Sequence, residues 1–407
     1  MGIGDRFSRQ GKAQLTAIIK AKELGVDVTP VWNKSHREHS IVKTVPQDVR
    51  IEADEAVKGL DWDGAYFVDA DHINLNNVDS FLEASDFFTI DVADYIGNTA
   101  NQEQQVAFIN AALPYVRPLK LPGMKEEITV TKNEIESITD KYLSAVLEAG
   151  KIYRYIESKK GKGTFITEIS MDETDYPQSP VELLFILLGL ATEKIPVQTI
   201  APKFSGRFNK GVDYSGDPEV FAEEFNQDLA ALSFAVEEFG LPDDLKLSIH
   251  SGSDKFSIYP LVAKAIKNHD VGLHLKTAGT TWLEELIGLA ESGEEGLAIC
   301  KEIYISSLSR FEELCTPYKT VIDINPAKLP SKADMDKMDS QRFVNSLRHD
   351  PNHPDYNIHL RQLLHVGYKV ASELGERYYD ALAKFETTVA KNVTENILER
   401  HIKQVFL

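Results

Sequence analysis

One arrangement recurs along this 407-residue chain: an apolar run, a polar loop, then a segment whose apolar residues fall at helical spacing. The runs read "MGIGDRF", "DVTPVWNKSH", "GAYFVDADH", "FFTIDVADY", "GTFITEIS", "PVQTIAPKFSGR", "KLSIHSGSD" and "VGLHLKTAGT". Strands alternating with helices imply parallel pairing through crossovers, and eight such runs fit a (β/α)8 TIM-type barrel with its active site at the C-terminal strand ends. An open doubly wound sheet is the alternative, because the first run is short and Asp94 lies far from Glu168. The barrel reading places a helical insertion around residues 98–160. Residues 1–281 then form the catalytic barrel, and residues 282–407 form a mainly helical C-terminal extension packed on it. Within that tail "YKTVIDIN" is a candidate strand, and the tail is a candidate cover for the barrel mouth.

A net charge of -19 argues against a nucleic-acid or anionic-membrane surface. Only Cys300 and Cys315 occur, so no disulfide framework is expected, and a reducing, cytoplasmic setting follows. The start "MGIGDRFSRQGKAQL" lacks a signal-peptide pattern, and "VELLFILLGLA" is too short to span a bilayer and reads as a buried helix. The sequence leaves the oligomeric state open, a homo-oligomer included.

The strand ends carry the chemistry. In "VDADHINLN", Asp69 and Asp71 share one face of a strand, whereas His72 points elsewhere unless the strand has already turned. The plain alternative is an Asx turn capping a helix. Glu168 ends an apolar run, where a carboxylate must be paired or ligating. Asp172, Glu173 and Asp175 read as a solvated loop. Lys203, Arg207 and Lys210 in "APKFSGRFNKGVDYSGD" are a local basic cluster suited to an anion, with salt bridges to Asp213 and Asp217 the alternative. His250 and His274 occupy matching places in the last two runs, and with His72 they could supply three ligands and leave open positions, as catalytic metal sites do. Asp213 of that basic loop, and Ser251, Lys276 and Thr277 beside the histidines, are candidate substrate contacts. His36, His39, His349 and His353 are spare candidates, and His365 reads as packing. No GxGxxG follows a strand, no P-loop is present, and no GxSxG elbow occurs.

Taken together, "GIGDRF", "VDADHI", "APKFSGRFNKGVDYSGD", "SIHSGSDKFSIYP" and "GLHLKTAGTTWLEE" resemble the tagaturonate/fructuronate epimerase family, also described as tagatose 4-epimerases. The resemblance runs from Gly2 to about Ala371, and the chain starts later than the family pattern leads one to expect. It implies a divalent-metal isomerase acting on a keto-uronate or ketohexose, with Zn, Ni, Co or Mn as the ion. It also implies His72, His250 and His274 as metal ligands, Asp71 as proton acceptor and Glu168 as proton donor. The inverted carbon lies β to the ketone, where simple enolisation cannot reach it, so retro-aldol cleavage and re-addition is the expected route. Lys203, Arg207 and Lys276 are the expected holders of the carboxylate. A metal-dependent sugar isomerase, a keto-acid aldolase and a uronate-binding barrel are the competing readings.

Overall fold

The computed structural model describes residues 1–174, 176–277 and 279–407. Eight parallel strands close into a barrel: β1 (Gly2–Gly4), β2 (Val31–Ser35), β3 (Phe67–Ile73), β4 (Phe87–Asp91), β5 (Ile166–Ser170), β6 (Thr199–Ala201), β7 (Lys246–His250) and β8 (Leu273–Lys276). Seven lie within the runs read from the sequence and β3 passes the end of its run by one residue, Ile73, while the closure of β8 on β1 rules out the open sheet. The short first strand suffices because Thr277 N–H donates to Gly2 O at 3.0 Å, extending the seam past the last paired residue.

Helix boundaries follow local chemistry. The helix Pro218–Phe239 starts where Asp217 accepts from Glu219 N–H and stops at Gly240 with φ of 68°. The apolar segment noted above is the buried helix Pro180–Thr192. After β3 there is no α-helix but a 3-10 turn, Val78–Ser80. Asn76 N–H donates to Asn74 Oδ1 at 2.9 Å, so the Asx turn is real but caps no long helix. The 29-residue helix Lys132–Lys160 covers that flank instead: Tyr155 bonds Asp79 and Lys160 bonds Leu82 O. This helix and Gln102–Ala112, with a two-stranded ribbon (Pro118–Leu119 and Ile128–Thr129), fill the connection between β4 and β5.

The tail is helical from Thr280 onward. Its apolar residues Trp282, Tyr304 and Tyr378 share one buried core with Ile3, Ile18 and Trp32 of the first βα units. The candidate strand "YKTVIDIN" is not a strand. Its backbone is used by the loop after β6: Lys210 N–H donates to Val321 O at 2.8 Å. No described helix is long and apolar enough to cross a membrane.

Candidate active site

Strands β3 to β8 deliver polar side chains to one place at the mouth, and Lys276 is at its centre. Its ammonium lies 2.8 Å from Asp69 Oδ2, 2.9 Å from Asp71 Oδ1 and 2.8 Å from Glu168 Oε1, and it donates to Thr89 Oγ1 at 2.5 Å. Glu168 is fully buried; Thr199 donates to its Oε2 at 2.6 Å and Thr89 to its Oε1 at 3.1 Å. His250 Nε2 lies 2.9 Å from Glu168 Oε1. The close register explains the gathering, since Lys276 pairs with His250, Glu168 with Thr89, and alternation sends all four inward.

His72 breaks that alternation. The pairing of β3 with β4 shifts between Ala70 and Ile73, and His72 takes φ of 51°, uncommon for a residue with a Cβ. The bulge turns its ring to the same side as Asp71. Its Nδ1 bonds Asp91 Oδ2 at 3.0 Å, and its Nε2 lies 4.0 Å from Asp71 Oδ1. The His72 and His250 rings meet edge to face at 5.2 Å.

Asp172, which the sequence placed in a solvated loop, belongs here. It is half-buried two residues past β5, takes a 2.5 Å bond from Ser170, and its Oδ1 is 3.2 Å from His250 Nδ1. That ring nitrogen is buried and completes no hydrogen bond among the described residues. Glu173 is exposed, and Asp175 lies outside the described residues. Donor atoms of His72, Asp172 and His250 all lie within 4.8 Å of one another. Two imidazoles and one carboxylate, with an unsatisfied nitrogen turned toward the group, are a donor set that fits a divalent cation. Asp91 would fix the tautomer of His72 from behind.

The other expected contacts sit elsewhere. His274 lies one inward step below Lys276, stacked on Phe87 at 5.2 Å; among the described residues its Nε2 has no partner and it is not one of the three clustered donors. Ser251 Oγ donates to Lys276 O at 2.6 Å, and Thr277 is tied to Gly2, so both fasten strand ends. Asp213 accepts from the backbone N–H and hydroxyl of Ser257, at 3.2 and 3.0 Å. Lys203 is half-buried, and its backbone N–H bonds Gln178. Arg207 is exposed, and its guanidinium reaches Thr320 O and Ile322 O at 3.5 and 3.4 Å. Asp91, Asp172, Thr89 and Thr199 escaped the sequence reading. For Thr89 and Thr199 the available signal was a polar residue at an inward position of an otherwise apolar run.

The charges divide sharply. Burial pushes Asp69 up to about 7, against the pull of Lys276. For Asp71 burial works the same way, but Lys276, His72 and His250 outweigh it and hold the carboxyl at about 2. Burial would also raise Glu168, yet Lys276 and His250 keep it well below the usual carboxylate range. His250 is raised to about 9, because Asp172 and Glu168 overcome its burial and the opposing Lys276. His274, buried without a comparable partner, is driven well below the ordinary imidazole value. A buried lysine thus bridges ionised carboxylates beside two imidazoles, an arrangement able to accept, pass and return protons.

Comparison with known proteins agrees with this geometry. The family model described as tagaturonate epimerase matches residues 1–405. A tagaturonate/fructuronate epimerase of Thermotoga maritima is 27% identical over 417 residues, spanning 98% of this chain and 79% of its own. The native crystal structure of the fructuronate-tagaturonate epimerase of Cohnella laeviribosi superposes with a TM-score of 0.80 at 23% identity, over 99% of this chain and 80% of that one. A glycerol complex of the same enzyme gives 0.82 at 22% identity, with the same coverage. At that identity the likeness establishes the barrel fold, while the match over nearly the whole length establishes descent. The chain belongs to the tagaturonate epimerase family.

Proposed function

We propose that this chain interconverts D-tagaturonate and D-fructuronate by inverting the hydroxyl-bearing carbon β to the ketone. The observation that carries the reading is the Lys276 bridge between Asp71 and Glu168, set beside the His72, Asp172 and His250 donors. Asp71, held ionised, removes the hydroxyl proton of the carbon to be inverted. Cleavage of the adjacent carbon–carbon bond leaves an aldehyde fragment and an enediolate. A divalent cation held by His72, Asp172 and His250 would supply Lewis-acid stabilisation to that developing charge. Rotation of the aldehyde and re-addition to its other face form the epimer, whose new alkoxide takes a proton from the Glu168 side. Glu168 is ionised at rest, so the proton it delivers comes through Lys276, whose ammonium touches it at 2.8 Å. Lys276 contacts both carboxylates and can return the proton from Asp71 once the cycle ends.

The mechanism is tested by running the conversion in deuterated water and analysing both products and three-carbon fragments. Retro-aldol chemistry leaves no solvent deuterium at the inverted carbon and traces of fragments from leaky turnover. Deuterium incorporated at that carbon would sink it.

A further inference from the structure

Three cations rise from separate segments at the mouth: Arg6 in the loop after β1, Arg37 in the first turn of the helix His36–Val42 after β2, and Lys210 in the loop after β6. They gather around two tyrosines of the helical tail. Arg37 lies 5.2 Å and Lys210 5.8 Å from the centroid of Tyr318, and Arg6 lies 4.2 Å over Tyr368. The two tyrosines are buried, and their hydroxyls are bonded at 3.0 Å. Arg6 is paired with Glu38, but among the described residues neither Arg37 nor Lys210 forms an ion pair. Burial, with Arg6 and Arg37 adding to it, pushes Lys210 down to about 8, while Glu173 and Asp71 oppose the fall. All three cations follow the C-terminal ends of their strands, the end of the barrel at which Asp71, His250 and Lys276 also lie, which puts them on the side of the proton-transfer groups. In a chain of net charge -19, unpaired cations held close together are a site arranged for an anion.

We propose that Lys210 and Arg37, backed by Arg6 and floored by Tyr318, bind the carboxylate of the substrate. This rests on the keto-uronate reading above and deepens it. In the retro-aldol route the carboxylate belongs to the aldehyde fragment, two bonds from the carbon that inverts. That fragment must turn over without leaving, and an anchor on its charged end permits rotation about the bond between. Arg207, one of the cations expected for this task, is instead engaged with the carbonyls of Thr320 and Ile322. The tail, through Tyr318, thus becomes part of substrate recognition.

The test is calorimetric binding of tagaturonate and of the neutral ketohexose tagatose to metal-supplemented wild type, Lys210→Gln, Lys210→Arg and Arg37→Gln, with thermal melts of each. Lys210→Gln and Arg37→Gln should weaken tagaturonate binding by roughly tenfold or more, the loss of a charge-assisted contact. Lys210→Arg should stay within about threefold of wild type, and tagatose binding should not move. Unchanged tagaturonate binding in Lys210→Gln overturns the inference, as does an equal loss for both sugars. Conversion of tagaturonate by wild type is measured alongside. If it occurs while the variants bind normally, the anchor is wrong and the function stands; if wild type neither binds nor converts tagaturonate, both fail.

Discussion

Gly2 has no side chain where one would strike Lys276. A Cβ there would come 2.7 Å from Lys276 Cγ and 3.1 Å from Asn33 Nδ2, so the first strand makes room for the central lysine. Gly2→Ala should cost about 1–3 kcal/mol in overpacking and shift the ammonium off its carboxylates, lowering kcat more than stability. Replacing the lysine is harsher. Lys276→Met leaves Asp69, Asp71 and Glu168 facing one another without a counter-ion, and the loss of one partner from a buried ion cluster is worth about 3–5 kcal/mol. A denaturant titration and an epimerase assay should show both losses; a fully stable Lys276→Met would contradict the cluster's assigned charges. At this scale the sequence was partly legible. Alternation put Asp69 and Asp71 on one face, and strand-end position picked out Glu168 and His250. The inward turn of His72 was not legible, because it depends on a bulge whose partner strand the sequence does not name. Asp172 was hidden among neighbouring acids, and only its proximity to His250 in space distinguishes it.

Between elements, the loop after β7 is fastened to the tail by a buried polar cluster. Asp254 Oδ2 lies 2.7 Å from Arg361 and 3.1 Å from His349, and its Oδ1 lies 3.3 Å from His401 in the π-helical turn Asn396–Ile402. Burial alone would raise the Asp254 carboxyl, but Arg361, His349 and His401 together hold it well below the ordinary value. A depressed carboxylate contributes its stability fully above the unfolded pKa of about 4 and loses it as pH falls toward the folded value. Asp254→Asn should therefore cost about 3–5 kcal/mol near neutrality, and the gap to wild type should narrow below about pH 4. Urea midpoints at several pH values read this directly, and a gap that widens in acid would contradict it. The eight runs were legible because strand and helix periods differ. The missing helix after β3 was not, since a distant 29-residue helix covers the flank it would have filled.

Across the whole molecule, the tail and the first two βα units bury their apolar residues in one core. The barrel should not outlive the tail: a chain ending at residue 281 would expose Ile3, Ile18 and Trp32 to water and show no cooperative melting transition. Full-length protein should melt once. The tail also carries Tyr318 to the mouth, so folding and substrate recognition depend on the same residues. The most direct test of the site is conversion of tagaturonate to fructuronate by chelated and metal-restored protein, beside a His72→Ala, His250→Ala double variant with metal content measured in each. Conversion should vanish on chelation and return with a divalent ion, and the double variant should hold no metal and convert nothing. Undiminished conversion by metal-free protein, or by a variant lacking both histidines, would contradict the His72, Asp172 and His250 centre.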